Sequence, residues 1–245
     1  MGSCLNSEIL IQLDYTKFDE AELRLLAGAG DAMIRAEKSL AKAGHNLVER
    51  MVRADSVPKP WQHYPETDVF DYETASQYYF HAHDDLSEEL SREIGHFHLF
   101  LREEALPMDA EAVRTIGTND SCIAHVVAIS MDRRGRPLEL FTTNGWVTTE
   151  DFYEADDLIR ALPRFGLDLT EPCLAVNQWL TAAFRFFRPQ IEGLIRHRDE
   201  VMIPKAAKIG WEAALEDREM EVIGRTPVSI EKQMHEIMAA LATKS

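Results

Sequence analysis

The sequence is poor in cysteine: Cys4, Cys122 and Cys173 are the three in 245 residues. They are odd in number, widely spaced and never form a Cys-x-x-Cys pair, which excludes a disulfide scaffold and a thiolate zinc module and reads as a reduced, cytoplasmic protein. Positive charge is also short, with 26 Lys and Arg against 42 Asp and Glu and a formal charge of −16. Such a field repels phosphate backbones and anionic lipid, so neither nucleic acid nor a membrane is an expected partner. No apolar run approaches the roughly 18 residues of a spanning helix. Residues 1–10 lack the basic start and apolar stretch of a secretory signal, and Asn6 breaks the myristoylation-like string begun by Gly2. No Gly-rich turn joins a strand to a helix, which disfavours dinucleotide and P-loop binding.

What is present is an ordinary globular composition, 45% apolar and 28% charged. Helical spacing of Leu23, Leu26, Gly30, Met33, Leu40, Leu47 and Met51 predicts a helical arm over 18–54, broken or kinked by its glycines. Pro58, Pro60 and Pro65 then mark a linker or extended wrap. β character follows at Ser76 to His83, Ile94 to Leu101, Ile123 to Met131 and Leu138 to Thr143, with Gly135 expected at a left-handed turn position. Thr148 is read as the cap of the next helix. Val176, Trp179, Leu180, Ala183, Phe184 and Phe187 share one helical face, Pro189 restarts a helix, and further helices are expected at about 205–222 and 229–241. The fold class that results is α+β: a small antiparallel sheet at about residues 74–143 covered by N- and C-terminal helices. Residues 1–245 form a single domain in this reading, with the His-rich β core at 61–143 and a helical cover at 149–243.

Six of the nine histidines fall between residues 61 and 125. His81-Ala-His83 and His96-Phe-His98 share a spacing that puts both rings of each pair on one face of a strand. The second strand is apolar on both faces, so His96 and His98 are expected to be buried. His125 is read onto the face of Ile123, Val127 and Ile129 as its only polar residue. His63 is read as a loop hydrogen bonder, and His45, His197 and His235 as solvated.

Several buried imidazoles need partners, and a divalent metal satisfies several neutral rings at once. His81, His83, His96, His98 and His125 are therefore the candidate ligands. Glu93, three residues before His96, is the candidate base, and Tyr79, on the histidine face, the candidate pocket residue. An N/O donor set suits Fe or Zn first and Mn or Cu next. The expected function is a metal-dependent enzyme acting on a small molecule, an iron-type oxidoreductase ahead of a zinc-type hydrolase because a dry site favours oxidant chemistry. A non-catalytic metal-holding or interaction protein with a histidine-rich core is the alternative. Asn144, Trp146, Arg185 and Arg188 are weaker candidates for substrate contact, and the aromatic helix face would make a homo-oligomer interface if left uncovered.

Known metal motifs resemble this stretch only in part. His81-x-His83 with Glu88 resembles half a cupin motif, and His81-x-His83-x-Asp85 resembles the start of the metallo-β-lactamase signature, where Leu86 stands in place of a further histidine. The amidohydrolase His-x-His needs a longer chain. The strings Gln77-Tyr-Tyr-Phe-His-Ala-His83, Gly95-His-Phe-His-Leu-Phe100 and Phe141-Thr-Thr-Asn-Gly-Trp-Val-Thr148 resemble an uncharacterised bacterial domain-of-unknown-function family. That resemblance implies a bacterial cytoplasmic protein and no reaction.

Overall fold

The structure, a computed structural model, describes residues 7–52, 62–82, 93–113 and 123–244. Six strands form one sheet in chain order: β1 (His63–Asp71), β2 (Ser76–Ala82), β3 (Gly95–Arg102), β4 (Ile123–Met131), β5 (Pro137–Thr143) and β6 (Val222–Pro227). Every neighbouring pair is antiparallel. The four central strands fall where aromatic and β-branched residues predict them. The turn between β4 and β5 uses Gly135 at φ +72°, as a tight hairpin requires. The sheet is nevertheless wider than 74–143. β1 runs through Pro65, which has no N–H to donate and sits where the β1–β2 ladder is broken between Tyr64 and Val69, a place on an edge strand that tolerates proline. β6 forms the other edge, inside a stretch read as helix and helical cover, and Ile9 N donates to Arg225 O of that strand at 2.8 Å.

The helices are α1 (Glu20–Lys42), α2 (Leu47–Val52), α3 (Gly145–Thr148), α4 (Ala155–Ala161), α5 (Leu174–Phe186), α6 (Arg188–Ile209), α7 (Trp211–Leu215) and α8 (Ile230–Ala242). Asp19 and Glu22 close a reciprocal cap on α1, and the expected arm divides at Gly44 into α1 and α2. Thr148 does not cap the next helix: it ends α3, whose cap is Asn144, with Oδ1 accepting from Gly145 N at 2.8 Å. The helix expected at 205–222 is instead the end of α6, then α7 and the start of β6, because Gly210 at φ +84° interrupts it.

The two faces of the sheet differ in kind. Tyr78, Phe80, Phe97, Leu99, Val127, Ile129 and Leu140 join one hydrophobic core with Val176, Trp179 and Phe184 of α5 and Ile191 and Leu194 of α6. Asn177 of α5 seals this junction: its Oδ1 accepts from the Tyr78 hydroxyl at 2.6 Å, and its Nδ2 donates to Leu169 O and Glu171 O. Trp179 reaches the next layer, donating to Glu37 of α1 at 2.9 Å. The aromatic face of α5 is thus buried within the chain, between sheet and α1, rather than waiting for a second copy. No helix among the described residues is long and apolar enough to cross a membrane. The opposite face of the sheet carries the histidines.

Candidate functional site

β2 and β3 pair so that Tyr79 stands opposite His98 and His81 opposite His96. The neighbouring ladder places His63 opposite His81. His63, His81 and His96 therefore form a row across three adjacent strands, as the period-2 rule requires once the register is set. His81 and His96 lie nearly parallel with centroids 5.4 Å apart, and His63 stacks on Tyr79 at 3.8 Å. His98 stands edge-on to His96 at 4.6 Å. His83 lies outside the described residues, as do Asp84, Asp85 and Glu88.

Gly95 makes the close approach of β2 and β3 possible. A Cβ there would stand 2.3 Å from the carbonyl oxygen of His81, a distance no side chain can occupy.

His125 reaches this face by an irregularity that simple alternation misses. Between Leu99 and Phe100 the β3–β4 ladder shifts, so that Leu99 faces Val127 but Phe100 faces His125. The bulge turns His125 away from the face of Val127 and Ile129 and onto that of His98. His98 Nδ1 and His125 Nε2 share a hydrogen bond of 3.1 Å, and His125 Nδ1 shares another of 3.2 Å with Thr143 Oγ1 of β5. Phe100 and Phe141 pack against these rings.

Two imidazoles are held by carboxylates. His96 Nδ1 bonds Glu93 Oε1 at 2.9 Å, and His63 Nδ1 bonds Asp68 Oδ1 at 3.2 Å. Asp68 reaches His63 because the β1 ladder bulges between Tyr64 and Val69. Its other oxygen accepts from Gln77 Nε2 at 2.7 Å, and Gln77 Oε1 accepts from Arg102 at 3.1 Å. A neutral ring whose Nδ1–H donates to a carboxylate carries its lone pair on Nε2, so both pairs set the tautomer.

Burial grades across the face. The His63 side chain is 40% exposed and that of His96 10%, while His98 and His125 are enclosed. Burial, reinforced by the surrounding histidines, holds His98 well below the usual imidazole range. Burial first, then Arg198 and His96, takes His125 down to about 3. Burial also raises the Tyr79 phenol, helped by the charges of Asp68 and Glu150. Glu150 is itself buried and pushed well above the carboxylate range by desolvation, against the pull of Arg198.

Glu93 and Tyr79 thus stand among the histidines, as does His63, which its flanking prolines disguise in the sequence. Asn144 and Trp146 do not. Asn144 Nδ2 donates to Ala214 O, tying the cap of α3 to α7, and Trp146 Nε1 donates to Asp217 O and Met220 O, tying α3 to the segment after α7. Arg185 and Arg188 are exposed on the helical layer, and Arg188 pairs with Glu192 at 2.7 Å. His197 is not simply solvated, since it packs over Gly224 of β6. Two surface grooves, of about 430 Å³ beside Asp156 and Arg196 and about 300 Å³ beside Leu13 and Glu236, are lined by other residues. Among the described residues no three His, Cys, Asp or Glu side chains are grouped so that they could hold a metal ion.

The chain matches the model of a domain of unknown function, DUF6969, over residues 27–228. No curated protein and no solved structure matches it.

Proposed function

The chain belongs to the DUF6969 family, whose description carries no activity, and we propose from the site alone that it is a proton-transfer enzyme acting on a small polar organic molecule. The observation that carries this is the Glu93–His96 bond of 2.9 Å. A carboxylate on Nδ1 orients the ring, fixes the tautomer and stabilises the imidazolium that forms when Nε2 takes a proton. His96 lies where the face passes from exposed to enclosed, so a substrate entering past His63 and His81 meets it before the buried rings. An acidic, reduced chain of this kind suits a cytoplasmic enzyme with no nucleic-acid or membrane partner. The test is deuterium uptake from D₂O by a panel of small amino, hydroxy and keto acids. His96→Gln should lower exchange about 100-fold or more, and Glu93→Gln about tenfold. Equal exchange in wild type and His96→Gln would remove His96 as the base.

A second reading keeps the metal. Carboxylates on the Nδ1 atoms of His63 and His96 resemble the outer pairs that orient metal-bound histidines, and neutral His98 and His125 are in the protonation state a metal takes. Iron or zinc in stoichiometric amount, with a melting temperature lowered by chelator, would support it. Metal-free protein indifferent to chelator would end it.

A further inference from the structure

Two carboxylate-held imidazoles stand on this face, and the proton transfer described above uses one of them. The other, His63, is held on two sides. Tyr79 covers its ring face at 3.8 Å with the planes 7° apart, and Asp68 Oδ1 holds its Nδ1 edge at 3.2 Å. Behind Asp68 runs a hydrogen-bonded chain whose direction is fixed. Arg102 Nη1 can only donate, so Gln77 must present Oε1 to it, at 3.1 Å. Gln77 Nε2 then donates to Asp68 Oδ2 at 2.7 Å, and the carboxylate, which only accepts, takes the hydrogen of His63 Nδ1. The guanidinium at the head of the chain is itself set over Phe70, 4.8 Å from the ring centroid. Nε2 is left as the atom through which His63 exchanges a proton.

This chain runs beside the histidine row. The β1–β2 and β2–β3 ladders put His63 opposite His81 and His81 opposite His96. Ring centroids are 6.3 Å apart at the first step and 5.4 Å at the second. The outer members stand two strand spacings apart, about 10 Å. A molecule of a few carbon atoms lying over His81 therefore meets a carboxylate-held imidazole at each end. Asp68, Glu93 and a net charge of −16 disfavour an anion there, so the guest is uncharged.

We propose that His63 is the acid of the site, working with His96 as base, and that Asp68, Gln77 and Arg102 are its positioning residues. The substrate is a small uncharged carbonyl compound with a hydrogen on the adjacent carbon. This rests on His96 being the base. His96 Nε2 takes the proton from that carbon. The C–H electron pair becomes a C=C bond as the carbonyl π pair moves onto oxygen, which takes the Nε2 proton of the His63 imidazolium. The products are an enol, His96 as imidazolium and His63 as neutral imidazole. One positive charge has passed from β1 to β3, and reversal returns it, so neither oxidant nor cofactor is consumed.

The test has two arms. Asp68→Asn reads the positioning chain. Its amide oxygen would meet the Gln77 donor and its NH₂ would face His63, so Nδ1 must accept and the ring hydrogen moves to Nε2. Nitrogen-15 spectra of the neutral ring, assigned with His63→Gln, should show hydrogen on Nδ1 in wild type and on Nε2 in Asp68→Asn. In the second arm, hydrogen exchange of dihydroxyacetone, glyceraldehyde and the anionic pyruvate in D₂O is compared in wild type, His96→Gln, His63→Gln and Asp68→Asn, each checked for folding by circular dichroism. His63→Gln should lower exchange of the two uncharged probes about 100-fold, and Asp68→Asn about tenfold or more. Unchanged exchange in His63→Gln while His96→Gln loses it overturns the acid and leaves the base. The same tautomer in wild type and Asp68→Asn overturns the positioning chain, and exchange of pyruvate alone overturns the uncharged substrate. No exchange of any probe by wild type overturns acid and base together. Should a variant not fold, the wild-type spectrum decides: a ring hydrogen on Nδ1 upholds the proposal, and one on Nε2 overturns it.

Discussion

At the scale of single residues, buried groups of opposite kinds tie stability to pH in opposite directions. Unfolded, His98 and His125 take up protons near pH 6.5; folded, they resist until the pH is much lower, near 3 for His125. The unfolded chain binds more protons in that window, so stability falls as pH drops below about 6.5, by up to a few kcal/mol per ring. Glu150 acts in reverse. It keeps its proton in the fold and loses it when unfolded, so its contribution declines as pH rises above about 4.3. Melting temperatures of the wild type across this range should trace a dome. His125→Gln should flatten its acid side and Glu150→Gln its alkaline side. Curves that run parallel to wild type at every pH would show that neither group titrates as its burial demands.

At the scale of elements, the junctions between strands and between layers decide what survives. Gly95→Ala drives a methyl into the His81 carbonyl, so β2 and β3 must part. The expected cost is about 1–3 kcal/mol, with the His81 and His96 rings moving out of register, visible as shifted imidazole resonances. An alanine that leaves stability and those resonances unchanged would show that the strands have slack. Trp179→Ala should cost about 3–5 kcal/mol in denaturant melts, because it empties a core position and leaves the Glu37 carboxyl, already raised by burial, without its donor. The sequence showed these elements unevenly. Period-2 alternation and β-branched runs made β2 to β5 readable, together with the shared face of His81, His96 and His98. His125 was not readable, because one extra residue in β4 reverses the parity on which face assignment depends. β6 was hidden for another reason: six residues containing a glycine and a proline become a strand only through the β5 edge beside them.

At the scale of the whole molecule, the sheet divides the labour between its faces. One meets α5 and α6 through aromatic and branched side chains; the other collects imidazoles, Tyr79 and carboxylates. Composition announced the class, since sparse cysteine and ordinary apolar content require a core built by packing alone. It did not announce the division, which follows from pairing. The charge of −16 acts on the molecule as one body. Raising ionic strength from about 0.01 M to about 0.15 M shortens the screening length from about 30 Å to about 8 Å. Self-repulsion should relax, and the melting temperature should rise by a few degrees. A fall over that range would mean that the ion pairs outweigh the excess negative charge.

The hydrogen-bonded chain from Thr143 through His125 to His98 has one further property. Its two links can run in either sense, because each neutral ring carries one proton and two nitrogens. With His98 donating to His125 and His125 to Thr143, His98 Nε2 holds a lone pair. With the Thr143 hydroxyl donating inward, both rings exchange tautomers and His98 Nε2 holds a hydrogen. The net charge is the same in both, but the polarity of the wire is inverted. A rotation of one hydroxyl on β5, together with the two tautomer shifts, therefore changes what β3 offers a guest, from acceptor to donor. The interior can match either kind of atom without importing an ion.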